Sequence, residues 1–300
     1  MQKEFPIPLV ALGPGSQLED ESLEYMPMPQ GMETFHAPRL PEPEEILGRE
    51  QAHQALRACV QALQAVIADG VNRSIDLGHL APLDLALINQ VMGEGEVSAR
   101  LLSETDAGGQ PAADGLELRV QESVFAGIWR VIQARAGVVL SDRLELGFVP
   151  QALKQTALLD RWSEAQRQAQ AWQGPLPPQV QNAPALLVEI AEQWRSWTPQ
   201  QPAHVINLTL LPVSAEDIAF LDHHLGTGRV LILSRGYGNC RISNTCTPHC
   251  WRVVYYNSQD LVILNTVEIC ELPEVALAAQ EDLQDSLARL TDVLQWVEQG

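Results

Sequence analysis

Asp84-Leu85-Ala86-Leu87-Ile88, running on to Gly93-Glu94-Gly95-Glu96-Val97, is answered 133 residues later by Asp217-Ile218-Ala219-Phe220-Leu221 and Gly226-Thr227-Gly228-Arg229-Val230. Each stretch reads as a helix closed by a Gly-x-Gly turn into a strand, because glycine takes the left-handed conformation in which helices commonly end. Working outward, Ile75 and Leu77 match Ile206 and Leu208 as a short strand, and helices over 51–69 and about 184–197 precede the two strands. Downstream, Trp129-Arg130-Val131 matches Trp251-Arg252-Val253, and Pro150 matches Pro273 at the entry of a long amphipathic helix. Here the shift has fallen to about 122, so the first half carries an insertion, assigned to the loop around Asp106-Ala107-Gly108-Gly109-Gln110-Pro111. The expected fold is α+β: two tandem related repeats, each helix, strand, helix, antiparallel strands, helix.

The second copy gives the clearest strands. Val253-Val254-Tyr255-Tyr256 and Leu261-Val262-Ile263-Leu264 are β-branched and aromatic, and Asn257-Ser258-Gln259-Asp260 between them reads as a hairpin turn. The last helix, Pro273 to about Val297, places Ala276, Ala279, Leu283, Leu287, Leu290, Leu294 and Val297 along one stripe, which should pack on the sheet. Residues 1–48 hold eight prolines, and from Glu19 to Glu45 their acids are opposed only by Arg39. Such a segment buries too little apolar surface to offset its ordering entropy, so a disordered acidic tail is expected. The chain therefore divides into a tail (1–48), a first repeat (49–172), a Pro-rich linker (173–184) and a second repeat (185–300).

Composition narrows the function. The 300 residues carry a formal charge of -19, which repels phosphate backbones and anionic headgroups, so neither nucleic acid nor membrane is an expected partner. The proline-broken N-terminus lacks a basic region and does not read as a secretory signal. With no apolar run of spanning length, the five cysteines are read as reduced thiols in the cytoplasm. There is no P-loop, G-x-S-x-G elbow, H-E-x-x-H or complete dinucleotide fingerprint, so no enzyme activity is expected.

The two copies differ at one place. Ser234-Arg235-Gly236-Tyr237-Gly238-Asn239-Cys240-Arg241-Ile242 is a tight loop presenting two arginines, a tyrosine and a thiol, and a loop kept in one copy only is the better candidate for a working surface. The competing reading is that Gly236 and Gly238 simply permit positive φ in a hairpin. Cys240, Cys246 and Cys250, with His249, form a C-x5-C-x3-C cluster of soft donors suited to zinc or iron–sulfur. That spacing matches neither zinc ribbons nor ferredoxins, and alternation along a strand would point some thiols apart. Cys59 and Cys270 read as small core residues, and His223 and His224 as surface residues. In the tail, Tyr25, Met26, Met28 and Met32 are candidates to grip a hydrophobic groove, because thioethers adapt to irregular surfaces; an inert linker is the alternative.

Leu231 to Ile242, then Tyr255-Tyr256-Asn257-Ser258-Gln259-Asp260-Leu261-Val262-Ile263-Leu264-Asn265-Thr266 and Pro273-Glu274-Val275-Ala276, resemble the C-terminal domain of the HupH/HyaF/HoxQ family of hydrogenase expression/formation proteins. Gly13-Pro14-Gly15-Ser16 and Met26-Pro27-Met28-Pro29-Gln30-Gly31-Met32 resemble the start of these proteins. The resemblance implies an accessory chaperone or scaffold in maturation of an uptake nickel–iron hydrogenase. Such a protein holds the precursor of the iron–sulfur small subunit, or supports assembly and protection of its clusters, before that subunit joins the large one. Implied partners are that precursor and a thioredoxin-like companion chaperone. The alternative is a transient iron–sulfur or metal scaffold using Cys240 with Cys246 and Cys250. Of these, only Cys240 belongs to the resembling stretch.

Overall fold

The computed structural model describes residues 41–102, 115–199, 201–236 and 238–299. The expectations for the tail and for the loop around Asp106–Pro111 lie outside the described residues. In chain order the elements are α1 (Pro43–Ile46), α2 (Glu50–Asp69), β1 (Arg73–Asp76), α3 (Pro82–Met92), β2 (Val97–Leu101), β3 (Leu116–Glu122), β4 (Ile128–Arg135), β5 (Val138–Leu146), α4 (Gln151–Leu159) and α5 (Glu164–Gln170). They continue with α6 (Ala183–Ser196), β6 (His204–Asn207), α7 (Ala215–Leu225), β7 (Val230–Ser234), β8 (Asn239–Asn244), β9 (Cys250–Tyr256), β10 (Val262–Ile269), a 3-10 turn (Glu274–Ala276) and α8 (Gln280–Gln299). The class is α+β with antiparallel strand pairing.

The chain forms two compact units. Among the described residues the first comprises 41–155, 230–236 and 274–299, and the second 156–229 and 238–273. This grouping cuts across a division at 173–184. In the first unit the strands run β1-β5-β4-β3-β2-β7, so β7, from the second half of the sequence, extends this sheet by pairing with β2. The second unit orders its strands β8-β9-β10-β6. Residues 173–184 are packed into the second unit, with Val180 in a core that also holds Ile190, Ile206, Phe220 and Val267. The final helix starts at Gln280 rather than at Pro273. The amide of Ala278 is drawn out of helical bonding by the carbonyl of Phe148, and α8 then runs beside α2, with Arg57 paired to Glu298.

A set of backbone hydrogen bonds occurs once in each unit. Leu77 N donates to Asp142 O and Leu208 N to Asn265 O, at 2.8 and 2.9 Å; Ser123 N donates to Ile128 O and Thr245 N to Cys250 O, at 2.8 and 3.0 Å. Val124 N donates to Met92 O and Cys246 N to Leu225 O, both at 2.9 Å. The Gly-x-Gly turns behave alike: Gly95 N reaches Glu122 O at 2.7 Å and Gly228 N reaches Asn244 O at 2.9 Å. Arg130 bonds Asn89 of α3, and Arg252 pairs with Asp222 of α7.

The aspartates that open the quoted stretches have one structural task, to accept amides at the start of another helix, where the first N–H groups lack intrahelical partners. Asp84 Oδ1 takes the amide of Ala52 in α2 at 3.0 Å. Asp217 Oδ1 takes those of Gln181, Asn182 and Ala183, each at 2.9 Å, and its Oδ2 takes Ser214 N at 3.1 Å. Burial of this 1% exposed residue acts to raise its pKa, but these backbone donors prevail and hold it below the ordinary carboxylate value. Asp217→Ala leaves several amides without an acceptor and should cost about 2–4 kcal/mol, read as a lower midpoint in urea unfolding with unchanged slope. The wild type's advantage over this variant should be full above the unfolded carboxyl pKa and shrink as pH falls through the depressed folded one.

Candidate functional site

The stretch 234–241 is the turn from β7 into β8 with its flanking residues. In the first unit, Arg235 and Gly236 are exposed, and Arg235 N donates to Glu96 O at 3.1 Å. Gly236 admits no side chain without displacing its neighbour, since a Cβ there would fall 2.0 Å from Glu96 Oε2. In the second unit, Gly238 sits at φ +97 with open space around it, so its glycine serves backbone conformation. Asn239 is half-buried and Arg241 exposed. Tyr237, Tyr25, Met26, Met28 and Met32 lie outside the described residues.

Cys240 corrects the expectation of a thiol presented at the surface. Its side chain is 3% exposed, on the strand position facing Tyr255 of β9. Burial pushes the thiol up to about 12, against the Tyr255 hydrogen bond that lowers it, with Glu268 adding to the rise.

The proposed donor set of Cys240, Cys246 and Cys250 is also corrected: among the described residues no three His, Cys, Asp or Glu side chains are grouped so as to hold a metal ion. Strand geometry supplies the reason. Cys240 lies beside Tyr255, whereas Cys250 begins β9 opposite Ile269. Cys246 has left the strand and donates its S–H to Thr227 O at 3.5 Å. Cys250 is likewise pushed up to about 12 by burial, against opposing contributions from Thr245 and Arg252. His249, the remaining suggested ligand, takes φ +60 and stacks on Trp197 with ring centroids 3.9 Å apart.

The β9–β10 hairpin carries a feature that sequence reasoning did not assign to the site. Asn239 pairs with Tyr256, which pairs with Val262, and Cys240 pairs with Tyr255, which pairs with Leu264. Ile263 is therefore an extra residue in β10, a bulge that turns its side chain outward to 56% exposure beside the exposed Leu261 and Val262. The turn Asn257–Asp260 is fixed by Asn257 Oδ1, which accepts from Gln259 N and Leu261 N at 2.8 and 3.0 Å. Arg241, Tyr256, Leu261, Val262 and Ile263 thus offer a cation beside an aromatic and aliphatic hairpin tip. The signal was available: a run of four apolar residues directly after a hairpin turn exceeds what one buried strand face can take. The first unit repeats it at Val138, Val139 and Leu140, also exposed at a hairpin tip.

Residues 180–297 match the family described as HupH hydrogenase expression protein, C-terminal conserved region. Over 296 residues the chain is 50% identical to the hydrogenase expression/formation protein HoxQ of Cupriavidus necator, covering 98% of each. It is 46% identical over 296 residues to the hydrogenase expression/formation protein HupH of Rhodobacter capsulatus, covering 98% of this chain and 99% of that one. Over 294 residues it is 34% identical to the hydrogenase-1 operon protein HyaF of Escherichia coli, covering 95% of each.

Thiols at about 12 are ionised in about one molecule in ten thousand at pH 8. Native protein treated with iodoacetamide should therefore leave Cys59, Cys240 and Cys250 unlabelled by mass spectrometry, while the same treatment in urea labels them. Rapid native labelling of Cys240 would show a thiol that reaches solvent.

Proposed function

The chain belongs to the HupH/HyaF/HoxQ family of hydrogenase expression/formation proteins, and on that premise we propose that it is a non-catalytic, cytoplasmic accessory in maturation of an uptake nickel–iron hydrogenase. It holds the immature iron–sulfur small subunit and supports cluster assembly or protection before that subunit joins the large one, working beside a thioredoxin-like companion chaperone. The observation that carries this reading is end-to-end identity with relatives whose names all refer to hydrogenase: 50% and 46% for two named for expression and formation, 34% for one named for the hydrogenase-1 operon. Among the described residues, no helix is long and apolar enough to cross a membrane.

The gripping surface in this reading is Arg241 with Tyr256, Leu261, Val262 and Ile263; Arg235, Tyr237, Tyr25, Met26, Met28 and Met32 are separate candidates for contact with the same partner. Exposed aliphatic and aromatic groups rimmed by a guanidinium suit a polypeptide that has not yet buried its own apolar interface. The scaffold in this reading is a tandem duplication, supported by the hydrogen bonds that occur in both units.

Capture of tagged small-subunit precursor on the full-length protein tests the proposal. Wild type should retain the precursor, and Ile263→Asp or Arg241→Glu should weaken retention about tenfold, since a charge in an apolar contact or a reversed rim charge costs about 1–3 kcal/mol. Thermal midpoints should stay near wild type because both side chains are exposed. Equal retention by both variants and by a chain lacking residues 1–45 would overturn this surface. Wild-type hydrogenase activity in a strain without the protein would overturn the function.

A further inference from the structure

His223 and His224, at the end of α7, are half-buried rather than fully at the surface. Within the second unit they meet the chain as it leaves α5. No residue of α5 is buried, so its place depends on what fastens its two ends. Before the helix, Trp162 N donates to Cys246 O at 3.0 Å. After it, His223 Nε2 bonds Gln170 O at 3.1 Å and Trp172 N donates to His224 Nε2 at 3.4 Å. The Trp172 ring meets the buried Phe220 ring edge-on, with centroids 6.1 Å apart, while its Nε1 donates to Pro175 O at 3.1 Å. The His224 ring covers Phe220 from another side at 4.2 Å.

We propose that His224 makes residues 171–175 a strap over Phe220 that closes on the neutral imidazole and opens when the ring takes a proton. Phe220 O can only accept, so His224 Nδ1, 2.8 Å away, carries the hydrogen. A backbone N–H can only donate, so Nε2 is the nitrogen that accepts from Trp172. That tautomer is the neutral one. A proton added at Nε2 points at the Trp172 N–H, and the hydrogen bond becomes a contact between two donors. His223 meets no such conflict, because its Nε2 faces a carbonyl in either state, so Gln170 stays tethered while Trp172 and the residues up to Pro175 swing away. Phe220 then meets water at the margin of the core that also holds Ile190, Ile206 and Val267.

The charge that bears on His224 is His223, with ring centroids 5.2 Å apart. Around α7, Arg167 of α5 pairs with Glu164 at 3.1 Å, Glu189 of α6 with His204 at 2.9 Å and Arg252 of β9 with Asp222 at 3.1 Å, while Asp217 is held by the amides at the start of α6. Burial, with His223 adding to it, keeps His224 below the ordinary histidine value against the Phe220 hydrogen bond that raises it. Opening returns the ring toward that ordinary value, so the open strap binds the proton more tightly. The closed form is therefore fully favoured above the ordinary histidine value and loses ground as pH falls from there through the lowered one, below which the balance is constant.

Hydrogen exchange of the full-length protein, read at the Trp172 amide and corrected for intrinsic rates, tests the strap at about pH 7.5 and about pH 5.5. Wild-type protection should be about tenfold greater at the higher pH, the ratio expected if opening raises the His224 pKa by about one unit. His224→Gln, whose side-chain oxygen can accept from Trp172 without titrating, should be protected equally at both, and His224→Phe at neither. Nitrogen-15 spectra of the wild type at about pH 7.5 give a second reading that needs no variant to fold, since His224 should carry hydrogen on Nδ1 and none on Nε2. The strap is overturned if wild-type protection is the same at both pH values, if His224→Gln keeps the pH dependence, or if the neutral ring carries its hydrogen on Nε2.

Discussion

The second glycine of each Gly-x-Gly turn lies against the end of a neighbouring strand with no room for a side chain. A Cβ on Gly95 would fall 2.3 Å from Ser123 O, and one on Gly228 would fall 2.2 Å from Asn244 Nδ2. That close approach lets each glycine amide bond the carbonyl of Glu122 or Asn244, and it fixes where the following strand begins. In the first unit β2 starts from such a turn, so its register against β3 depends on this contact.

The turn in the second unit is held by an ion pair. Arg229 and Asn244 satisfy the buried Asp160 with directed donors, a stable arrangement because each partly buried charge has a partner.

The hairpin after β9 shows a division of labour. Cys240 is buried on the strand position facing Tyr255, while the bulge at Ile263 turns aliphatic surface outward. A thiol raised by burial acts as a packing group.

The amino-acid order by itself determined the local elements: helices from apolar periodicity, turns from glycine pairs, and strands from β-branched and aromatic runs around Asn257–Asp260. These depend on neighbours a few residues apart, which is why Asp84 and Asp217 could be placed at corresponding helix starts and the family resemblance could be read from the stretch around Leu231–Thr266. Tertiary structure decided which elements share a unit, sending β7 and α8 to the first and packing Val180 into the core of the second. It also decided that Cys240, Cys246 and Cys250 stay apart and that Ile263 faces out. Each of those outcomes depends on strand register, bulges and contacts between residues far apart in sequence, for which spacing along the chain carries no distance information.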